Sequence, residues 1–195
     1  MKTFITAIVL LATVAVPLRS TAGEVFVPGE KLEYRVSYLN ITLGTIKTEA
    51  VGYEEVDGKK YPIIKVWIDS HPNIPFVSLH AIYKSRMNQG MTYSHNFEAS
   101  TQEDDGSWMF DQYVFDYKKK QVLMETYKKK VKTESKTLPI KKRYNDGSSL
   151  LFAARALINS GKTYRMPTVI MGDLVNTIVA FNGKEEEVEI DAVDF

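Results

Sequence analysis

Three histidines are the side chains of this sequence best suited to bind a metal ion or to transfer protons. They are His71, His80 and His95, separated by nine and fifteen residues. Three histidines can ligate zinc, yet these spacings match no local metal motif, so only the tertiary fold could bring the rings to one point. We therefore favour histidines in loops or at the surface, and we predict no metal site and no cofactor.

Two acidic clusters, residues 103–105 and residues 185–187, suggest a second kind of chemistry. Two carboxylates flanking a sugar can hydrolyse a glycosidic bond. Each cluster lies beside a glycine that indicates a turn, where acids are solvated, whereas the raised pKa of a catalytic acid requires burial. The sequence also lacks Gly-x-Ser-x-Gly, His-Glu-x-x-His and cysteine. We name no catalytic residue, and an envelope hydrolase is the least favoured function.

Aromatic side chains could bind a ligand without catalysing a reaction of it. The chain has 11 Tyr, 9 Phe and 2 Trp, and an odd-numbered aromatic stripe is predicted on one face of the strand at residues 107–117. Such side chains could line a groove for an acyl chain or stack on sugar rings, but strands also favour aromatics for packing alone. Core packing is the general interpretation. The candidate ligand-binding residues are Trp67, Trp108, Tyr113, Phe115 and Tyr117.

Two lysine tripeptides, residues 118–120 and 128–130, resemble a basic patch for phosphate or anionic lipid. They can equally be solvated turns, or edge-strand lysines that prevent sheets from pairing edge to edge. Acidic residues nearby interrupt any sustained basic block. We favour the turn interpretation.

The first 22 residues have the composition of a secretory signal peptide. Lys2 provides a short positive region, an apolar run follows from Phe4 to Val16, and small residues precede the expected cleavage after Ala22. The apolar run is shorter than the roughly 20 residues of a membrane-spanning helix. We predict a periplasmic protein with no transmembrane span after cleavage.

The charge and the length of the mature chain limit which functions and which domain organisation it can have. The sequence has 25 basic and 24 acidic residues, and removing Lys2 and Arg19 with the leader leaves 23 against 24, a net charge of −1. This balance argues against nucleic-acid binding, which calls for a basic domain. Removing 22 of 195 residues leaves 173, which suits one domain with a sizeable core.

Alternating apolar and polar residues predict a strand-rich fold. Residues 28–53 are predicted to form a hairpin with Gly44 at its connection. One helix is predicted to follow Asp146 or Ser148 as its cap, and its buried stripe comprises Leu150, Ala153, Ala154, Leu157 and Ile158. The pattern predicts a mostly β fold: one antiparallel, strongly curved or partly open β-barrel with one α-helix packed against it. Further strands are predicted at residues 61–69, 81–88, 91–102, 107–117, 121–132, 163–171, 176–181 and 185–193.

Two stretches resemble a known family. The first comprises Pro28-Gly29-Glu30-Lys31-Leu32, Tyr34, Val36, Tyr38-Leu39 and Leu43-Gly44-Thr45, and the second is Asp146-Gly147-Ser148-Ser149-Leu150-Leu151-Phe152 with Arg155. Both are similar to the DUF3108 family, exported bacterial proteins of unknown function, although Ser149 and Leu150 depart from its usual order and Phe152 replaces a tyrosine. The resemblance implies one DUF3108-like domain over residues 23–195, truncated at its C-terminus because such proteins continue with further strands.

Two functions remain open. The first is a non-catalytic binding or carrier protein for a hydrophobic or glycan component of the cell envelope, with a lipid or glycan as ligand. The second is an envelope-assembly scaffold that acts through contacts with envelope proteins. A fully packed interior would favour the scaffold.

Overall fold

The computed structural model describes residues 25–38, 41–74, 78–158 and 161–181. This part of the chain is mostly β, with eleven strands and one helix. The predicted leader and the predicted strand at residues 185–193 lie outside the described residues. The strands are β1 (Lys31–Tyr38), β2 (Ile41–Val56), β3 (Lys59–Ser70), β4 (His80–Met87), β5 (Ser94–Gln102), β6 (Trp108–Asp116), β7 (Gln121–Lys128), β8 (Val131–Pro139), β9 (Asn145–Asp146), β10 (Thr163–Ile170) and β11 (Asp173–Ala180), and the helix is α1 (Ser149–Arg155).

Eight strands form one antiparallel sheet in chain order, from β1 to β8. Each strand pairs with the next along the chain, as expected where short turns join consecutive strands. A smaller sheet has the order β11-β10-β9, in which β10 is antiparallel to β11 and parallel to β9. Within the described ranges β1 pairs only with β2 and β8 only with β7. The large sheet is therefore open at both edges, and its closure into a barrel stays a prediction.

One face of the large sheet supplies the core. Tyr113 pairs with Phe97 on one side and with Met124 on the other, and directly paired residues lie on the same face. These three side chains are buried together with Val169 of β10, so the smaller sheet packs over the middle of the large one. A second buried cluster joins β2 and β3 to the helix through Ala50, Ile64 and Phe152, along with Val25, Phe26, Met87 and Met91.

The helix is shorter than the sequence pattern predicts. It ends at Arg155, and Ile158, which was expected on the buried stripe, is 56% exposed. Ala153 of the predicted stripe is buried, together with Ser149 and Phe152, which the stripe did not include. The end of the predicted stripe was wrong because it assumed a helix continuing to residue 158, whereas the helix has 7 residues, about two turns.

Gly44 does not lie in a turn, so that part of the hairpin prediction was wrong. It is in β2, where it pairs with Val36 of β1 and Ser70 of β3. A Cβ atom built on Gly44 would overlap the backbone carbonyl oxygen of Asp69. Glycine is needed here because two strands approach closely, and a positive φ is not required.

The single strand predicted over residues 121–132 is two strands. β7 and β8 are joined by a turn in which Lys129 and Lys130 have φ angles of 49° and 66°. Two consecutive residues with positive φ form the turn geometry that suits the twist of a hairpin. Asparagine or glycine usually signals this turn, and two lysines gave no such signal.

The predicted inward face of β1 is only partly covered. Tyr34 is 42% exposed and Val36 is 37% exposed, although both alternate as core residues would. They lie on the outermost strand of the sheet, where apolar side chains have neighbours on one side only. Alternation thus identified the face correctly and overestimated its burial.

Candidate functional site

An arginine packed against two tyrosines is the centre of the candidate site. The guanidinium carbon of Arg143 lies 4.5 Å from the ring centroid of Tyr93 and 4.4 Å from that of Tyr117. The two rings meet edge to face, with centroids 5.3 Å apart. The two distances from Arg143 to the rings are within the range of cation–π attraction. No carboxylate of the described residues forms an ion pair with Arg143.

His95 extends this aromatic cluster. Its ring centroid lies 4.9 Å from that of Tyr61, 5.3 Å from that of Tyr93 and 5.9 Å from that of Tyr117. Burial, together with the positive charges of Arg86, Arg143 and Lys59, lowers the pKa of His95 to about 4. The imidazole is therefore neutral near neutral pH.

Hydrogen bonds fix the ring of Tyr117 in place. Its hydroxyl donates to the carbonyl of Ser94 at 2.6 Å, and the backbone N–H of Tyr144 donates to the hydroxyl oxygen at 3.4 Å. Burial raises the pKa of Tyr117, so the hydroxyl stays protonated as a donor. The ring that contacts Arg143 is thus held between β5 and the start of β9.

Two clefts adjoin the cluster and are lined by cationic residues. The arginine cleft, about 380 Å³, contains Tyr117 and Arg143. The histidine cleft, about 450 Å³, contains Tyr61, Tyr93 and His95. No carboxylate lines either cleft within the described part of the chain. The other lining residues are Lys120, Ile140, Lys141 and Lys142 in the arginine cleft, and Lys59, Lys60, Asn88 and Gln89 in the histidine cleft.

Arg86 adds a cation behind the histidine cleft. Its guanidinium carbon lies 5.7 Å from the Tyr61 ring centroid, and one terminal nitrogen is 3.3 Å from a carboxylate oxygen of Glu54. The Nε atom of Arg86 is buried and has no hydrogen-bond partner among the described residues. A positive charge that is only partly compensated therefore lies against the aromatic cluster.

A buried aspartate positions the segment that carries Arg143. Oδ1 of Asp146 accepts hydrogen bonds from the Ser85 hydroxyl and from the backbone N–H of Ser148 and of Ser149, at 2.8, 2.9 and 2.9 Å. Its Oδ2 accepts from the Ser94 hydroxyl at 2.6 Å. Asp146 thereby satisfies N–H groups at the start of the helix and ties this segment to β4 and β5.

The five aromatic residues singled out in the sequence do not form one site. Tyr113 and Phe115 are 8% and 4% exposed and belong to the core cluster. Tyr117, at the end of the same stripe, reaches the arginine cleft. The predicted stripe therefore joins the core to the candidate site.

The two tryptophans lie on the other face of the large sheet. Trp67 pairs with Ile82, which pairs with Ser100, which in turn pairs with Phe110. Trp108 shares the face of Phe110 because the two are two residues apart, whereas Tyr113 is three residues from Phe110 and points the opposite way. Trp67 carries Lys65 over its ring at 5.2 Å, and Trp108 contacts His80 with centroids 5.3 Å apart.

Tyr61, Tyr93 and Arg143 were not selected from the sequence, and His95 was considered only as one of the three histidines. Tyr93 and His95 are two residues apart in a predicted strand, and that spacing places both on one face. It was the signal that could have identified them. The run Lys141-Lys142-Arg143 was a second signal, in a segment to which no element was assigned.

The three histidines lie in different surroundings. His71 is in the loop after β3, and His80 contacts the carboxylate of Asp69. Among the described residues there is no group of three or more His, Cys, Asp or Glu side chains that could hold a metal ion. His95 alone belongs to the aromatic cluster.

The acidic cluster at residues 103–105 lies in the turn between β5 and β6. Glu103 forms an ion pair of 2.5 Å with Lys128. Hydrogen bonds from the side chain of Ser107 and from its backbone N–H lower the pKa of the Asp105 carboxyl. The lysine tripeptides also lie at turns, and only Lys120 reaches a cleft of the site. Residues 185–187 are outside the described ranges.

No protein-family model, curated protein or solved structure matches this chain. The DUF3108 resemblance thus stays a prediction. Among the described helices none has the length and apolar character needed to cross a membrane.

Proposed function

We propose that this chain is a non-catalytic binding or carrier protein of the cell envelope, and that its ligand is an anion bound at Arg143. The observation that carries this proposal is the position of Arg143 against the rings of Tyr93 and Tyr117. Arginine stacks on aromatic faces while the N–H groups at its edge remain able to bind a carboxylate, sulfate or phosphate in a bidentate manner. The stacking orders the guanidinium before the ligand arrives.

The charge around the site supports an anionic ligand. Lysines line both clefts, and no described carboxylate lies among the lining residues to neutralise them. Positive charges that lie close together beside a low-dielectric aromatic wall attract anions and accelerate their association. Binding is therefore expected to weaken as the salt concentration rises.

The ionisable groups of the site support binding over catalysis. A general acid or base works best when its pKa is close to the working pH. The pKa of His95 is lowered to about 4, and the pKa of Tyr117 is raised. Neither group exchanges a proton readily near neutral pH, which favours a recognition role.

The predicted signal peptide at residues 1–22 and the DUF3108 resemblance support an exported, periplasmic protein. The proposal includes further curling of the large sheet towards a partly open barrel, and the open edges of β1 and β8 are compatible with it.

Native mass spectrometry tests the proposal. Full-length mature protein is purified from its own compartment and compared under native and denaturing conditions, together with Arg143→Gln and the control Arg165→Gln. Arg165 is an exposed residue of β10, distant in sequence and outside both clefts. We expect an anionic adduct on the wild type and the control that is lost from Arg143→Gln. Protein without an adduct, which also fails to bind carboxylated, sulfated and phosphorylated saccharides, would overturn the proposal.

An envelope-assembly scaffold is the second candidate. The packed interior favours it, because Tyr113 and Phe115 fill the space that a hydrophobic ligand would need. Crosslinking in cells that captures one envelope protein at constant stoichiometry, with protein that carries no adduct, would favour the scaffold.

A further inference from the structure

We infer that the ligand is an acidic oligosaccharide whose successive anionic sugars occupy the arginine cleft and the histidine cleft together. This inference rests on the proposed function and specifies the class of its ligand. Tyr93 lines the histidine cleft, Tyr117 lines the arginine cleft, and their rings are in contact at 5.3 Å between centroids. The two clefts are therefore neighbours that share one aromatic wall.

Cations on both sides of this wall offer contacts to anions on both sides. Lys141 and Lys142 lie in the arginine cleft, and Lys59 and Lys60 lie in the histidine cleft. All four are exposed, and a single exposed ion pair contributes little. A compact anion could engage one cleft only. A chain with several negative groups gains from both, because the second contact forms within an existing complex.

The shapes and side chains of the clefts favour sugars. Volumes of about 380 and 450 Å³ suit small ring compounds. Asn88 and Gln89 bring amides to the histidine cleft, where they can bind hydroxyl groups. A sugar acid presents a ring face to the aromatic wall, hydroxyls to the amides and a carboxylate or sulfate to the cations.

The arrangement of the rings disfavours nucleobases and acyl chains. Tyr61, Tyr93 and Tyr117 contact His95 or one another at steep angles, 75° for Tyr61–His95 and 88° for Tyr93–Tyr117. Stacked bases need open, parallel ring faces. The apolar interior next to Tyr117 is occupied by Phe115, which is 4% exposed.

Calorimetric titration with galacturonic acid and its oligomers of increasing length tests the inference. Two double variants remove charge from one cleft each: Lys141→Gln with Lys142→Gln, and Lys59→Gln with Lys60→Gln. The control is Lys118→Gln with Lys119→Gln, since these lysines lie in the β6–β7 turn, where their backbone N–H groups bind Asp116. Thermal unfolding of each variant verifies the fold.

We expect the affinity to rise with length until the oligomer reaches both clefts. For a long oligomer, each double variant should weaken binding about tenfold, and the combination of all four substitutions about a hundredfold. The monomer can occupy one cleft only, so one of the two double variants should weaken its binding and the other should not. The control should bind like the wild type.

Four results would overturn the inference. If the monomer and the oligomers bind with equal affinity, and the substitutions in only one cleft weaken binding, the proposed anion-binding function stands and the bridging of the two clefts is refuted. A neutral oligosaccharide that binds as tightly, or a single-stranded oligonucleotide of equal charge that binds more tightly, would exclude the acidic glycan. Failure of every anion to bind would overturn the proposed function itself.

Discussion

The hydroxyl of Ser94 donates a 2.6 Å hydrogen bond to Oδ2 of Asp146, although the two residues are 52 positions apart in the chain. Both side chains are fully buried. The backbone of the same region is also joined, since the N–H of Ser94 donates to the carbonyl of Tyr144 at 2.9 Å. The segment that presents Arg143 is thus anchored to the sheet by a buried carboxylate and its hydroxyl donors.

Replacing Asp146 by asparagine should destabilise the protein. The amide NH2 of asparagine is a donor, and it would face either the Ser94 hydroxyl at the Oδ2 position or the Ser85 hydroxyl and the Ser148 N–H at the Oδ1 position. Loss of a buried charge-assisted network typically costs about 3 kcal/mol. Urea unfolding measures this change. Ser149→Ala is a milder variant, with an expected loss of about 1 kcal/mol. An unchanged midpoint for Asp146→Asn would show that the carboxylate is not needed in this network.

Tyr117→Phe should separate the two roles of that side chain. Its hydroxyl bonds to Ser94 and Tyr144, whereas its ring contacts Arg143. Removing the hydroxyl should lower the free energy of unfolding by about 1 to 2 kcal/mol. Ligand binding should persist because the ring remains.

Tyr93→Phe is the matched control for this prediction. The Tyr93 ring lies at a similar distance from Arg143, 4.5 Å, and the described residues offer its hydroxyl no hydrogen bond. Equal stability losses in the two variants would contradict the anchoring role of the Tyr117 hydroxyl.

Much of the fold was predictable because the alternation of apolar and polar residues is a signal contained within each strand. The strand predicted at residues 61–69 is found as Lys59–Ser70, and the one at residues 107–117 as Trp108–Asp116. In both strands one face is buried, and period-two patterns report that directly. The β7–β8 turn was missed because positive φ at two lysines is imposed by the hairpin, with no signal in the residue type.

The candidate site was only partly predictable. Tyr117 was identified from the stripe on β6, but Arg143 lies in an irregular segment without periodicity. Its contacts depend on the bonds between Asp146 and Ser94, which join parts of the chain far apart in sequence. Spacing within the sequence carries no information on such long-range pairs, so the cluster emerged only in the folded structure.

Gly44→Ala should be strongly destabilising. The added methyl group would overlap the carbonyl oxygen of Asp69 on the neighbouring strand, and a backbone atom cannot move aside as a flexible side chain can. We expect a loss of about 2 kcal/mol or more, as for other overpacked sites. Thermal unfolding compares it with Gly147→Ala, where a Cβ meets nothing within 4 Å and the change should be at most about 0.5 kcal/mol. Equal stability of the two variants would refute the close approach.

His95 should make stability depend on pH in a defined window. The pKa of His95 is lowered from 6.5 to about 4 in the folded protein, chiefly by burial and then by the charges of Arg86, Arg143 and Lys59. Between these values the unfolded chain binds a proton that the folded protein does not, so stability must fall as the pH falls. The contribution of the neutral ring is complete above a pH of about 6.5 and is lost progressively towards about 4.

His95→Phe removes this titration while keeping a ring against Tyr61, Tyr93 and Tyr117. The difference in free energy of unfolding between wild type and His95→Phe should therefore shift in favour of the variant as the pH falls through that window. Urea unfolding at a series of pH values measures the difference, in which titrations common to both proteins cancel. Parallel profiles for the two proteins would show that His95 titrates alike in the folded and unfolded chains. A bound anion should oppose the shift, because it stabilises the protonated imidazole beside Arg143.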